Sequence, residues 1–148
     1  MTHTLTADSI QLEFGLRPIL SDIYLHCQTG KITGLLGRNG QGKTCLMRAI
    51  YGDQTCSSRS VRFDDTAVLH PYTRPDLVRY LPQFNFIPGS LTLKRVFTDF
   101  NLGLRELENI LYQDILDISD RLYVLLDGRT RLAKGTEDLE TSGYLPRR

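Results

Sequence analysis

The chain has 148 residues, enough for one domain with a real hydrophobic core, and at 41% hydrophobic and 24% charged it is neither a disordered nor a fibrous sequence. Eighteen Lys and Arg against 17 Asp and Glu leave a net charge of +1, which excludes a general pull toward nucleic acid or an anionic membrane, so any anion site must be local. The three cysteines, Cys27, Cys45 and Cys56, lack metal-ligand spacing and suit a reduced, cytoplasmic protein, no apolar run is long enough to span a bilayer, and "MTHTLTADS" is no signal peptide.

Along the chain, "SIQLEF" (9–14) alternates apolar and polar residues and predicts a half-buried strand. Residues 15–18 make a turn, and "ILSDIYLHCQ" (19–28) reads as one further strand. "TGK" (29–31) turns into "ITGLLG" (32–37), a strand expected to be buried on both faces. Residues 43–51, with Leu46, Met47, Ala49 and Ile50 at apolar positions, predict a short helix. "SVRFDDTAVLH" (60–70) and "LVRYLPQ" (77–83) read as strands on either side of "PYTRP". "SLTLKRVFTDF" (90–100) predicts a helix with Ser90 as its N-cap, and a second helix runs from about 104 to 116. "RLYVLLDGRTRLAKG" (121–135) predicts a β-hairpin turning at Asp127-Gly128, and the tail "TSGYLPRR" is loose. There is no internal repeat.

Between the apolar strand and the first helix lies "GRNGQGKT": Gly37, Arg38, Asn39, Gly40, Gln41, Gly42, Lys43 and Thr44, fitting G-x-x-x-x-G-K-[ST]. Glycines let successive backbone N–H groups curl into an anion nest without Cβ clashes. The following helix adds its positive end, Lys43 supplies a point charge for β- and γ-phosphates, and the Thr44 hydroxyl is placed to ligate Mg²⁺. A solvated Gly-rich turn is the bland alternative. The strand before and the helix after the loop favour the phosphate reading.

With these residues the sequence resembles the ATP-binding cassette (ABC) family of transporter ATPase domains. "ILSDIYLHCQTGKITGLLGRNGQGKTCLMRAI" is similar to the family's approach to its phosphate loop. The resemblance implies that Phe14 stacks on adenine, although its alternation with Leu12 and Ile10 also suits a core residue. It implies that Gln83 in "YLPQ" is the Q-loop glutamine, near Mg²⁺ and the attacking water. "YQDILDISDRLYVLLDGRTRLAKGTEDL" (112–139) resembles the helix, strand and hairpin that follow the family's switch histidine. The implied ligands are ATP and Mg²⁺, the latter at Thr44 and Gln83. The implied partners are a transmembrane permease subunit and a second nucleotide-binding domain, at the inner face of a membrane, with no nucleic acid and no direct membrane insertion.

The family's middle is missing from this sequence. No LSGGQ-like signature lies between Gln83 and Tyr112, no apolar strand ends in Asp-Glu, and no histidine falls near Ile110; His3, His26 and His70 all come earlier. "YVLLDG" imitates the Asp-Glu strand, but Gly128 follows Asp127, which reads better as a turn residue. The expected fold is therefore α/β: a truncated P-loop NTPase core with an N-terminal antiparallel β-subdomain, one domain over 1–148 with an internal deletion, natural or engineered, near 106–111. The expected function is ATP binding without hydrolysis. Two alternatives are a P-loop NTPase or kinase of another class, using Asp64, Asp65 or Asp127 as carboxylates, and a non-catalytic regulatory remnant.

Overall fold

The computed structural model describes residues 1–82 and 119–134. Residues 1–80 and 119–134 lie in one compact unit; of a second, Leu81–Ile118, only Leu81 and Pro82 are described. The helices expected at 90–100 and 104–116, Gln83 and the C-terminal tail lie outside the described residues.

The N-terminal part is an antiparallel sheet built on one long strand, β1 (Thr4–Phe14). Its burial alternates, but the phase slips: Ala7, Ile10 and Leu12 are the buried residues. Ser9, at φ 54°, lies where the register shifts, so an extra residue is taken up and the inward face is restored. On one side, β1 pairs first with β3 (Tyr24–Gln28) and then, beyond the bulge, with β2 (Arg17–Leu20). On the other it pairs with β5 (Ser58–Phe63), which turns back into β6 (Thr66–Ala67).

Two expected strands are therefore four. Residues 19–28 are split because the N–H groups of Ser21 and Asp22 leave the sheet and donate to the carbonyl oxygen of Gly128, at 2.9 and 3.3 Å. Residues 60–70 are split by Asp64 and Asp65, both left-handed at φ 47° and 63°, the conformation a two-residue hairpin turn requires. A third expected strand, 77–83, is absent over its described part, residues 77–82. Pro71 opens a 3-10 turn, Pro71–Thr73, and Leu77 and Val78 donate back to the Arg74 carbonyl, so these backbone groups close turns instead of a ladder.

The second sheet carries the glycine-rich loop. β4 (Thr33–Leu36) runs parallel to β7 (Arg121–Leu126), which turns through Asp127-Gly128 into antiparallel β8 (Arg129–Leu132). Only Leu36 of β4 is fully buried; among the described residues the strand has the single partner β7, so both-face burial does not hold along it. Helix α1 (Lys43–Tyr51) follows the loop and ends at Gly52, a left-handed cap whose N–H returns to the Arg48 carbonyl. It buries Leu46, Ala49 and Ile50, spaced three and four apart, while Met47 stays on the solvent side. These three join Ile10, Leu12, Leu20, Val61 and Leu125 in one core, so α1, the N-terminal sheet and β7 share a hydrophobic interior.

Asp120 fixes the entry to β4. Its carboxylate accepts the Ile32 N–H and the Lys31 ammonium, both at 2.9 Å, and those contacts, the backbone bond first, hold it below the ordinary carboxylate value of 3.8. Because folding favours the ionised form, its contribution is present above pH 3.8 and is lost as pH falls through the lowered value. Urea denaturation should thus find Asp120→Asn less stable than the parent at pH 7, with the gap closing in acid below that value. A gap that persists undiminished in acid would mean that the charge of Asp120 does not contribute.

Candidate functional site

The loop between β4 and α1 is shaped by two left-handed glycines, Gly40 at φ 85° and Gly42 at φ 95°. The turn inside it closes through the Gln41 N–H, which donates to the Arg38 carbonyl at 3.2 Å. Gly42 is also the N-cap of α1, and no side chain caps that end; the first turn carries no acidic residue. Orphan N–H groups at the positive end of a helix, with no carboxylate nearby on the helix, form a site for an anion. Lys43 lies over this loop, half-buried, its Nζ donating to the carbonyl oxygens of Gly37 and Arg38, the latter at 3.0 Å. Thr44 is exposed at the second position of α1. The residues therefore fit a polyphosphate: donors and a cation converge, and the first turn of α1 carries no acidic side chain.

Neighbouring elements hold the loop in place. Ile19 of β2 lies against Gly42, where an added Cβ would come within 3.1 Å of its Cγ2. The Gln41 side chain accepts the Asp127 N–H at 2.9 Å. Gly128, at φ 76°, approaches the Ile19 carbonyl so closely that a Cβ there would sit 2.8 Å from the oxygen. Neither Ile19 nor the Gln41 to Asp127 bond was legible from sequence.

Phe14 ends β1 and is 54% exposed, so the inward alternation of Ile10 and Leu12 does not extend to it. Its hairpin partner is Arg17, and the same hairpin presents Ile19 to the loop. An exposed aromatic on the element that touches the phosphate loop is available for stacking; a core residue would not be.

The three aspartates considered for another enzyme class all sit in turns, and the carboxylate of Asp64 is bonded there. Asp64 accepts the Thr4 N–H at 2.7 Å and pairs with His3 Nδ1 at 2.6 Å; the His3 bond first, and that N–H next, hold it below the usual carboxylate range. Asp65 is the second residue of the same turn, and Asp127, at φ 48°, opens the β7–β8 turn. Burial pushes the Cys27 and Cys56 thiols up, which disfavours the nucleophilic thiolate. Among the described residues there is no group of three or more His, Cys, Asp and Glu that could hold a metal, and no helix long and apolar enough to cross a membrane.

Comparison with known proteins agrees with this geometry. A family model described as ABC transporter matches residues 20–139. The hemin import ATP-binding protein of Rhodococcus jostii (strain RHA1) is 31% identical over 144 residues, covering 86% of this chain and 48% of that protein. The protein of the same name from Vibrio anguillarum (strain ATCC 68554 / 775) is 29% identical over 156 residues, covering 96% and 60%. The chain thus spans about half to three fifths of the length of these curated relatives. A solved structure of a nucleotide-free ATP-binding cassette from an ABC transporter superposes with a TM-score of 0.65 at 15% identity, covering 97% of this chain and 96% of that one. It shows the fold: an α/β P-loop core with an N-terminal antiparallel β-subdomain.

The two left-handed glycines should not be equal. Alanine at either position meets the left-handed penalty of about 1–2 kcal/mol. At Gly42 it also meets Ile19, whereas nothing lies within 4 Å of a Cβ at Gly40. Urea denaturation is expected to rank Gly42→Ala as the more damaging; the reverse order would contradict the packing of Ile19 on the loop.

Proposed function

Because this chain belongs to the ABC transporter family, we propose that it binds ATP with Mg²⁺ through loop 37–44 and serves as the ATP-binding part of a transporter. The observation that carries this reading is the uncapped, acid-free start of α1 behind Gly40 and Gly42, with Lys43 folded over the loop. The backbone N–H groups of the loop and first helical turn bind phosphate oxygens, and Lys43 exchanges its loop carbonyls for the β- and γ-phosphates. Thr44 and Gln83 hold Mg²⁺, which when bound neutralises phosphate charge, and Phe14 stacks on the adenine ring.

The partners in this reading are a transmembrane permease subunit and a second nucleotide-binding domain, at the cytoplasmic face of a membrane. The named relatives are hemin import proteins, and we extend import to the transporter served here. Residues 106–111 are read as a join between segments that are distant in the family. Turnover is a separate matter from binding. Phosphoryl transfer depends on positioned groups, and this sequence offers no Asp-Glu strand, no histidine near Ile110 and no signature loop. The chain binds without hydrolysing.

Calorimetry with Mg-ATP and with pyrophosphate tests the binding. Lys43→Ala should weaken both ligands by roughly tenfold or more, since a charge-assisted contact to phosphate is removed. Phe14→Ala should weaken ATP by about fivefold, a stacking contribution of about 1 kcal/mol, and leave pyrophosphate unchanged. Equal affinities of the parent and Lys43→Ala would remove the loop from the assignment. A matched loss of pyrophosphate in Phe14→Ala would make the ring a packing residue instead.

Phosphate release followed over hours should not exceed that of Lys43→Ala, with or without permease, because the absence of even one preorganised group commonly costs a hundredfold or more in rate. Steady turnover that depends on Lys43 would reject the non-hydrolysing reading.

A further inference from the structure

Gln41 stands between two left-handed glycines, a backbone arrangement that its own side chain cannot enforce from within the loop. Its amide oxygen instead reaches 86 residues along the chain and accepts the Asp127 N–H at 2.9 Å. The acceptor belongs to the phosphate loop and the donor to the β7–β8 turn. That turn is itself anchored: the Gly128 carbonyl accepts the Ser21 and Asp22 N–H groups, and Gly128 packs on the Ile19 carbonyl. Ile19 returns to the loop at Gly42. Loop, turn and the end of β2 thus close a ring of contacts, in which the Gln41 side chain accepts a hydrogen bond that joins the loop to the turn.

We propose that Gln41 is a positioning residue: through the Asp127 N–H it latches the phosphate loop to the C-terminal hairpin and presets the loop for phosphate. This rests on the reading of the loop as a polyphosphate site. Without the latch the loop samples more conformations, and the ordering cost falls on ligand binding. The loss falls on the phosphate end, because the Gln41 bond goes to the β7–β8 turn and reaches the Phe14 hairpin only through Gly128 and Ile19. Gln41→Met is the informative change, since it keeps the length and the apolar stem of the side chain and removes the acceptor.

The full chain, wild type and Gln41→Met, is titrated with magnesium pyrophosphate and with Mg-ATP, its melting temperature is recorded, and exchange of the Asp127 amide is followed. A net hydrogen bond of ordinary strength corresponds to about three- to tenfold in affinity. The expected result is a loss of that size, equal for pyrophosphate and ATP, with faster Asp127 exchange and a melting temperature that falls slightly but stays well above the assay temperature. Unaltered affinities would overturn the latch. So would a loss for ATP alone, which would make Gln41 a contact to the nucleoside. A fall in melting temperature that accounts for the affinity loss would overturn it too, reducing the bond to general stability. Failure of the wild type itself to bind either ligand would reject the polyphosphate reading, a result distinct from any of these.

Discussion

The Asp127-Gly128 turn is the constraint on which the rest of the described structure depends. Both residues are left-handed, which only a tight two-residue hairpin turn demands, and the turn gives three neighbours something to bond to. The Gly128 carbonyl takes two N–H groups from Ser21 and Asp22, Thr130 donates to the Asp22 carbonyl at 3.0 Å, and the Asp127 N–H goes to Gln41. The break between β2 and β3, the bulge that lets β1 serve both, and the placement of the phosphate loop are consistent with these bonds. A backbone segment that satisfies other segments' donors from a fixed turn is rigid without needing bulk.

Burial supplies the complementary constraint. Leu125 of β7 and Leu46 of α1 are both fully buried in the same core as Ile10 and Leu20. The phosphate loop is held at both ends by apolar packing, Leu36 before it and Leu46 after it, and bridged in between by polar contacts. This division is physically sensible. Apolar burial is strong but non-directional, whereas a loop that must aim N–H groups needs directional bonds. Lys43 is part of the same economy of contacts: its loop carbonyls hold it over the site, so it is not a freely rotating side chain.

What could be read from the sequence was what is local. Helix α1 covers the residues its apolar spacing indicated, and the β7–β8 hairpin turns where Asp-Gly placed it. The loop was legible because its eight residues are contiguous. The β2–β3 break was not, since "ILSDIYLHCQ" has no glycine or proline to mark it, and its cause lies more than 100 residues away at Gly128. Asp64-Asp65 did carry a turn signal, as Asp tolerates the left-handed region, but a weaker one than Asp-Gly, and the β-branched and aromatic residues around it read as a continuous strand. At 77–82 strand composition was overridden by turns closing back on Arg74. The exposure of Phe14 was likewise beyond the alternation pattern, because a period of two does not say where a strand ends.

The same locality distinguishes what a phosphate cradle requires from what phosphoryl transfer requires. A phosphate cradle needs one strand end, one loop and one helix start, all within loop 37–44 and its flanks, and its supports here, Ile19, Leu125 and the Asp127 N–H, come from described elements that pack together. Moving a phosphoryl group needs more distant contributors, each correctly placed relative to the others, and the benefit of each depends on the rest being present. Shortening the middle of such a domain would therefore remove the second capacity while leaving the first. The bonds that shape the cradle, from Gln41 to Asp127 and from Gly128 to Ser21, join the segment before residue 82 to the segment after 119. Among the described residues, the geometry of the loop is thereby tied to the hairpin across a wide gap in sequence.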